Sequence, residues 1–480
     1  MIVLKFGGSS VASADRIRHV ANIVKSQIDR GQVLVLSAMG DTTDYLLEAG
    51  DAAYRSGVVS FDNIEKIHLE TIKKLKLTAK ARGEIKPLLD ELKSLLSGIS
   101  LLRELTPRTR DYLVSFGERL SVRITAAYFN SIGIKARAFD SWDAGFVSDS
   151  NFTSAELLAE SWGLIPQKLI HVVKSGIIPV VTGFIARNLD GNITTLGRGG
   201  SDLSATMIAA SCGAEEVQVW KDVDGILTAD PRIVPKAKPV EIATYDEAAE
   251  LAYFGAQVLH PRAMQPCMKT GTPVLVKNSY NPEAPGTRIV SSIEGHGGKK
   301  SRTTDAKSAA PKKTPVRAIT TKRNVTLVDI VSTRMLGQYG FLAEVFSTFA
   351  RHSLSVDMVA TSEVSLSLTL DAAHDLSSLK KDLSRIASID IKTGKAIITI
   401  IGDVRRSSEI LARSFKTCEI IGVKTQMVSQ GASKVNISFI VDDSEAAEVV
   451  KAIHMDFFES FEPAGGKRAD TGKKTTGGKA

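Results

Sequence analysis

The chain has 480 residues, 43% of them hydrophobic and 24% charged, the balance of a globular protein with core enough for roughly two to four domains. No apolar run reaches the roughly 20 residues of a membrane span, and Cys212, Cys267 and Cys418 stand in no metal or redox spacing. The net charge of +8 is concentrated in 299–323, with nine Lys or Arg against one Asp, and in 463–480, with five against one. Such runs are ordinarily solvated, so a basic folded face for nucleic acid is not expected.

The opening MIVLKFGG has no basic leader and no long apolar core, so a cytoplasmic protein is expected. IVLKF (2–6) reads as a buried strand and GGSS as the loop after it. Ile17, Val20, Ala21, Ile23 and Val24 form one face of a helix over 15–27. VLVLS (33–37) is a second strand, followed by a polar loop to Asp44. Residues 61–105 and 108–132 are helical in pattern, with Gly117-Glu118 inside the second stretch. Further strands are expected at 177–182, 217–220 and 273–276. Strands alternating with helices make 1–290 one α/β domain.

Residues 291–315 have no periodicity and read as a basic flexible linker. Strands are then expected at 324–331, 355–361 and 364–370, with helices over 340–351 and 375–387. The order recurs: strand 396–401, helix 406–417, strands 423–429 and 434–441, helix 443–457. This is an internal repeat of two ferredoxin-like units, 316–390 and 391–460. The tail, 461–480, is expected to be disordered and basic.

The stretch TTLGRGGSDLSA (194–205) has the chemistry of an anion-binding loop. Glycines expose N–H groups, and Ser201 or Asp202 is placed to cap the helix that follows. Arg198 and Asp202 together suit a small zwitterion. Lys5 ends a strand just before Gly7, Gly8 and Ser9, as a phosphate cradle requires. The pattern GxxxxGK[ST], the dinucleotide GxGxxG and the protein-kinase signature set are all absent. Glu118 follows Gly117, which weakens a helix and suggests close approach of another group. His260, before Pro261, reads as a packed or capping histidine.

KFGGSSV (5–11), SAMGDTTD (37–44), VSFGERLS (114–121), TTLGRGGSDLSA, VWKDVDGILTADPR (219–232) and FGAQVLHP (254–261) occur in this order. Together they resemble the aspartate kinases of the amino-acid kinase family. WKDVDGIL, FGAQVLHP and VKNSYNPEAPGT (276–287) are similar to its monofunctional plant-like and chlamydia-like branch. STRMLGQYGFLAEVF (332–346), SVDMVATSEVSLSLTLD (355–371) and QMVSQGASKVNISFIV (426–441) resemble that family's tandem ACT domains.

The resemblance implies an α/β/α sandwich with a mostly parallel sheet, plus two βαββαβ ACT domains. It implies ATP-dependent phosphorylation of the L-aspartate β-carboxylate to 4-phospho-L-aspartate, with Mg²⁺ held mainly by the nucleotide phosphates and no dedicated metal site. This reaction opens lysine, threonine, methionine and diaminopimelate synthesis. Lys5 then steadies the transferring phosphoryl group, with N–H groups of Gly7, Gly8, Ser9, Gly200 and Ser201, and Ser37 on the second phosphate loop. Thr43, Glu118, Arg198, Ser201 and Asp202 bind aspartate. Lys221, Asp222, Leu227, Arg232 and Gln257 face ATP. Some relatives carry Thr, Tyr and Lys at the places of Lys221, Leu227 and Gln257, and Asp44 stands where Asn is usual.

The ACT pair is expected to bind an amino acid, lysine by resemblance, with S-adenosylmethionine as an alternative. The candidate residues are Met335, Gln338, Gly340, Phe341, Leu342, Ser355, Val356, Asp357, Thr361, Ser362 and Glu363. Asp357 and Glu363 could hold a ligand ammonium. Residues 316–321 are expected to add a strand to the second unit, and ACT contacts to make at least a homodimer. Two other classes fit parts of the chain: an inactive amino-acid sensor, and a nucleic-acid-associated protein acting through the basic segments. The intact set Lys5, Glu118, Arg198 and Asp202 favours the kinase.

Overall fold

The computed structural model describes residues 1–253, 259–293, 314–332, 339–371, 375–430 and 435–459. Gln257, Met335, Gln338, most of the expected linker and the expected tail lie outside these. The first half contains, in chain order, β1 (Ile2–Phe6), β2 (Gln32–Leu36), β3 (Ala136–Phe139), β4 (Val147–Ser148), β5 (Ile178–Thr182), β6 (Ile185–Asn188), β7 (Ile193–Thr195), β8 (Glu216–Lys221), β9 (Ile242–Thr244), β10 (Val274–Asn278) and β11 (Thr287–Val290). The main sheet runs β3-β5-β2-β1-β8-β10-β11-β9, and β4, β6 and β7 form a small second sheet. In the main sheet the described pairs are parallel except β10–β11.

Alternate residues of each strand serve opposite faces. Ile2, Leu4 and Phe6 join one core with α1 (Ala14–Lys25), α2 (Thr42–Ser56), α3 (Asp62–Lys74), α4 (Ala79–Leu102) and α5 (Pro107–Ser131). Val3 joins the other, with α6 (Ser161–Lys174), α7 (Gly200–Ser211), α8 (Tyr245–Tyr253) and α9 (Pro261–Thr270). This is the three-layer α/β/α sandwich expected. Buried parallel strands read as unbroken apolar runs, which is why the sequence displayed them.

The second half contains β12 (Val316–Val331), α10 (Phe341–Arg351), β13 (Val356–Thr361), β14 (Ser365–Asp371), α11 (Ser377–Leu383), β15 (Ser388–Gly402), α12 (Ser407–Ile420), β16 (Val428–Gln430), β17 (Asn436–Asp442) and α13 (Ala446–His454). They form one six-stranded sheet, β13-β14-β12-β15-β17-β16. The expected strands 316–321 and 324–331 are one strand of 16 residues, because the break between them is a bulge between Lys322 and Val325. Val316–Lys322 pairs with Ile397–Gly402, so this stretch does add to the second unit's strand. The expected strand 423–429 is shorter. Its first residues run as coil, tied to Ile440 through Gln426 and Met427.

Candidate active site

The carboxyl ends of β1, β2, β5 and β8 meet the amino end of α7, the crevice in which parallel α/β sheets hold ligands. Lys5 has the strand parity of Val3, so it faces the α7 layer. Its Nζ lies 2.5 Å from Asp202 Oδ1, and Lys221 Nζ, at the end of β8, lies 3.8 Å from Asp202 Oδ2. Burial alone would push the Asp202 carboxyl up, but Lys5 and Lys221 outweigh it and hold it below its ordinary range. Burial lowers Lys221; Asp202 opposes that shift and Lys5 adds to it. Two ammonium groups around one carboxylate leave a net positive charge in a water-poor place, which favours an incoming phosphoryl anion.

After β1 the chain turns through Gly7 into one 3₁₀ turn, Gly8–Val11. A Cβ on Gly8 would stand 2.9 Å from Ala38 O and 3.1 Å from Gly40 O. The Gly40 N–H donates to Gly8 O at 3.1 Å. The two expected phosphate loops therefore lie back to back. Ser37, half-buried, follows β2 and donates its N–H to Phe6 O at 3.2 Å. Ser9 is exposed at the rim, while Ser10 Oγ is buried 2.8 Å from Ser279 Oγ. Arg16 donates to Ser279 O and Oγ at 3.1 and 2.7 Å and lies over the Tyr280 ring. Sequence reasoning missed this brace. The residues stand inside VKNSYN, but nothing in that stretch points to a loop at the other end of the domain.

Glu118 is buried in the middle of α5. A Cβ on Gly117 would stand 2.7 Å from Ala38 Cβ, so the glycine does mark a close approach. Glu118 Oε1 accepts the Ala38 N–H at 3.1 Å, and Oε2 is buried with no hydrogen-bond partner among the described residues. Burial pushes this carboxyl up to about 8, opposed by the Ala38 N–H. An unpartnered buried carboxylate oxygen calls for a cation. Thr43 is half-buried in the first turn of α2, and Asp44 is exposed beside it.

Gly197 (φ +70°) and Gly199 (φ +74°) turn the chain from β7 onto α7. The cap of α7 is Gly199, without a side-chain bond, and not Ser201 or Asp202. A Cβ at 199 would stand 2.7 Å from His260 Cβ, so only glycine fits this left-handed corner. Gly200, Ser201 and Asp202 then form the first turn of α7, from which Asp202 reaches Lys5. Arg198 is exposed between the two glycines and makes no ion pair among the described residues. His260 caps α9, its Nδ1 accepting the Arg262 N–H at 3.3 Å, in keeping with a structural histidine.

On the expected nucleotide side, Asp222 is exposed just beyond Lys221, and Leu227 is half-buried and bridged to Pro239. Arg232 is exposed and forked onto Asp230, with Nη2 2.7 Å from Oδ2. The same segment packs on the second half of the chain. Ala229 and Val234 share a core with Val316, Ile398 and Val449, and Thr228 Oγ1 lies 3.0 Å from His454 Nε2.

On the expected effector side, Gly340 (φ +90°) caps α10, Phe341 is buried and Leu342 is exposed. Ser355, Thr361, Ser362 and Glu363 are exposed and Val356 is half-buried. Asp357 is already engaged: Lys322 Nζ lies 2.6 Å from its Oδ2, and Tyr253 donates its hydroxyl to Oδ1 at 2.9 Å. Lys322 also lies 2.6 Å from Asp371. Tyr253 ends α8, a helix that meets the ACT sheet at every third residue: Glu247 faces Arg317, Glu250 accepts from Asn436, and Tyr253 meets Asp357. Among the described residues no group of three His, Cys, Asp or Glu side chains stands together to hold a metal ion.

The model of the amino acid kinase family matches residues 1–278, and that of an ACT domain matches 328–377 and 398–457. Aspartokinase 1, chloroplastic, of Arabidopsis thaliana is 49% identical over 475 residues, covering 95% of this chain and 80% of that protein. The chain belongs to the aspartokinases of the amino acid kinase family. Lysine-sensitive aspartokinase 3 of Escherichia coli K12 is 33% identical over 475 residues, covering 96% and 99% of the two chains. The crystal structure of E. coli aspartokinase III with aspartate and ADP, an R-state, superposes with a TM-score of 0.76 at 32% identity, over 96% of this chain and all of that one. Its T-state, with lysine and aspartate, gives 0.77 at 33% identity and the same coverage.

Proposed function

We propose that this chain transfers the γ-phosphoryl group of ATP to the β-carboxylate of L-aspartate, giving 4-phospho-L-aspartate and ADP. The observation that carries this is the cluster of buried Lys5 and Asp202 with half-buried Lys221, set between two glycine loops and accompanied by the Glu118 oxygen that has no partner among the described residues. The acceptor carboxylate is ionised at neutral pH, so no general base is needed. What the site must supply is alignment and relief of repulsion between two anions. Lys5 stands against the phosphoryl oxygens, with N–H groups of Gly7, Gly8, Ser9, Gly200 and Ser201 around them. Glu118 takes the ligand ammonium through its open oxygen, because both oxygens of Asp202 already face lysines. Arg198 takes a carboxylate of aspartate, and Thr43 flanks it.

Lys221, Asp222, Leu227, Arg232 and Gln257 are assigned to the nucleotide side. Mg²⁺ would be held mainly by the nucleotide phosphates and would neutralise their charge, since Asp202, the carboxylate of the cluster, is engaged by ammonium groups. Lysine acts as inhibitor through the ACT sheet, at Gly340, Phe341 and Leu342 and along β13; that the lysine-bound E. coli relative is a T-state supports lysine as the effector. S-adenosylmethionine is the second candidate effector, and a homodimer through ACT strands the expected assembly. The reaction then opens lysine, threonine and methionine synthesis. A cytoplasmic setting belongs to the same proposal, although the Arabidopsis relative is named chloroplastic.

The test is an ATP-dependent hydroxamate assay with L-aspartate, with and without L-lysine. Aspartyl hydroxamate formation that falls with added lysine is expected. Folded protein that forms none overturns the activity, and equal rates with and without lysine overturn the effector.

A further inference from the structure

Asp111 stands on α5 two turns before Glu118 and therefore on the same face of the helix. Its side chain is buried. Oδ2 accepts the N–H of Thr195 at 2.9 Å and of Thr153 at 2.8 Å, and Oδ1 accepts the Thr195 hydroxyl at 2.8 Å. Thr195 is the last residue of β7, just before the turn that carries Arg198. One helix thus carries Glu118 and also grips the root of the Arg198 loop.

Two further observations point to a site held under constraint. Thr153, a β-branched residue, holds a left-handed φ of +71°, and Phe184 holds +68°. Such conformations persist only where the surroundings enforce them. Thr153 O lies 3.3 Å from where a Gly197 Cβ would be, and Phe184 O accepts the Leu196 N–H at 2.8 Å. From the opposite side, Arg262 donates to Leu196 O at 3.1 Å and to Ala155 O at 2.6 Å. A carboxylate therefore fixes the N–H side of this strand end and a guanidinium its carbonyl side. Burial pushes the Asp111 carboxyl up, and its three donors offset part of that.

We propose that Asp111 is a positioning residue that holds Arg198 at the distance from Glu118 at which the pair grips the ammonium and α-carboxylate of the substrate, so that the reach of the side-chain carboxylate toward Lys5 selects aspartate over an amino acid one methylene longer. The glycines at 197 and 199 supply the bend; Asp111 fixes where the bend begins. This rests on the assignment of Glu118 to the ammonium and Arg198 to the α-carboxylate of aspartate.

The test compares Asp111→Ala, Asp111→Asn, Thr195→Val and Arg198→Gln in the full chain, with KM for aspartate, KM for ATP and the kcat/KM ratio of aspartate to glutamate as readouts. Asp111→Ala is expected to raise KM for aspartate about tenfold or more and to lower the aspartate-to-glutamate ratio, with KM for ATP within about twofold. Asp111→Asn is expected to restore both within about threefold, since its amide oxygen can take both backbone N–H groups and its NH₂ can face a turned Thr195 hydroxyl. A folded Asp111→Ala protein with an unchanged KM for aspartate, or with both KM values raised alike, overturns the proposal; so does an Asn variant as impaired as the Ala variant. If the Ala variant does not fold, Thr195→Val carries the test: a rise of about threefold in KM for aspartate is expected, and no rise overturns it. Arg198→Gln separates the two readings. An unchanged KM for aspartate there removes the underlying assignment, whereas a raised one beside an unaffected Asp111→Ala removes the positioning role alone.

Discussion

Lys5 Nζ and Asp202 Oδ1 lie 2.5 Å apart, with both side chains 8% exposed. The strand that opens the domain and the helix that follows the GRGG turn thus meet at one ion pair. Asp202 keeps a second partner in the half-buried Lys221, so a Lys5→Met protein retains one countercharge and is expected to fold. Its kcat is expected to fall by about 10² to 10³, the cost typical of removing one preorganised stabiliser of transition-state charge. Steady-state rates at saturating ATP and aspartate check this; full turnover would remove Lys5 from the mechanism.

Glu118 links folding stability to pH with a definite sign. Its carboxyl is raised from 4.5 to about 8 in the folded chain. Between those values the folded state keeps a proton that the unfolded state has released, so this group's contribution to stability falls as pH rises from 4.5 and levels off above about 8. Glu118→Gln removes that dependence. Its melting temperature is expected to exceed that of the parent more at pH 8 than at pH 5, by an amount on the order of a few kcal/mol in unfolding free energy. Thermal scans of both proteins at the two pH values decide it.

With Glu118 on the aspartate ammonium, as proposed, aspartate binding is expected to release a proton. A ligand ammonium favours the ionised carboxylate, which the empty site holds largely protonated below about pH 8. Titration calorimetry at pH 7 in two buffers of different ionisation enthalpy is expected to show net proton release. Glu118→Gln should abolish it and weaken aspartate binding.

Gly8 has no room for a side chain. Its Cβ would sit 2.9 and 3.1 Å from two backbone oxygens, which cannot swing away. Gly8→Ala is therefore expected to push loop 7–10 off loop 37–44, raising KM for ATP by about tenfold or more and leaving KM for aspartate less changed. Equal KM values for Ala and Gly proteins would show that the two loops part without effect.

Lys322 occupies Asp357, one of the two acids, with Glu363, expected to be able to hold an effector ammonium. An effector that uses Asp357 must displace this internal cation and loosen the Tyr253 hydroxyl bond at the end of α8. Lys322→Met is expected to lower the lysine concentration for half-inhibition by about threefold to tenfold. A weaker response to lysine in a folded Lys322→Met protein would instead make Lys322 part of the effector site.

The α/β core was legible in the sequence because its strands are buried on both faces and display unbroken apolar runs, as in IVLKF and QVLVL. The two glycine loops were legible because glycine beside a strand-end lysine is a local pattern, and Gly117 marked the close approach that Ala38 makes. The cap of α7 was misread, because the corner at Gly199 is set by His260 from a distant helix.

What the sequence determined by itself is the class of fold and the chemical inventory: lysine at a strand end, glycine loops, an arginine with acids close by, and two repeated βαββα units. Only the tertiary structure decided who meets whom. Asp202 faces Lys5 and Lys221 with its two oxygens, whereas Glu118 keeps an oxygen that no cation faces among the described residues. Asp357 is filled by Lys322, and Asp111 grips Thr195. The reason is physical. Propensity and periodicity act over a few neighbouring residues, whereas a buried charge takes whichever partner the packing brings within about 3–4 Å, however far away it lies along the chain.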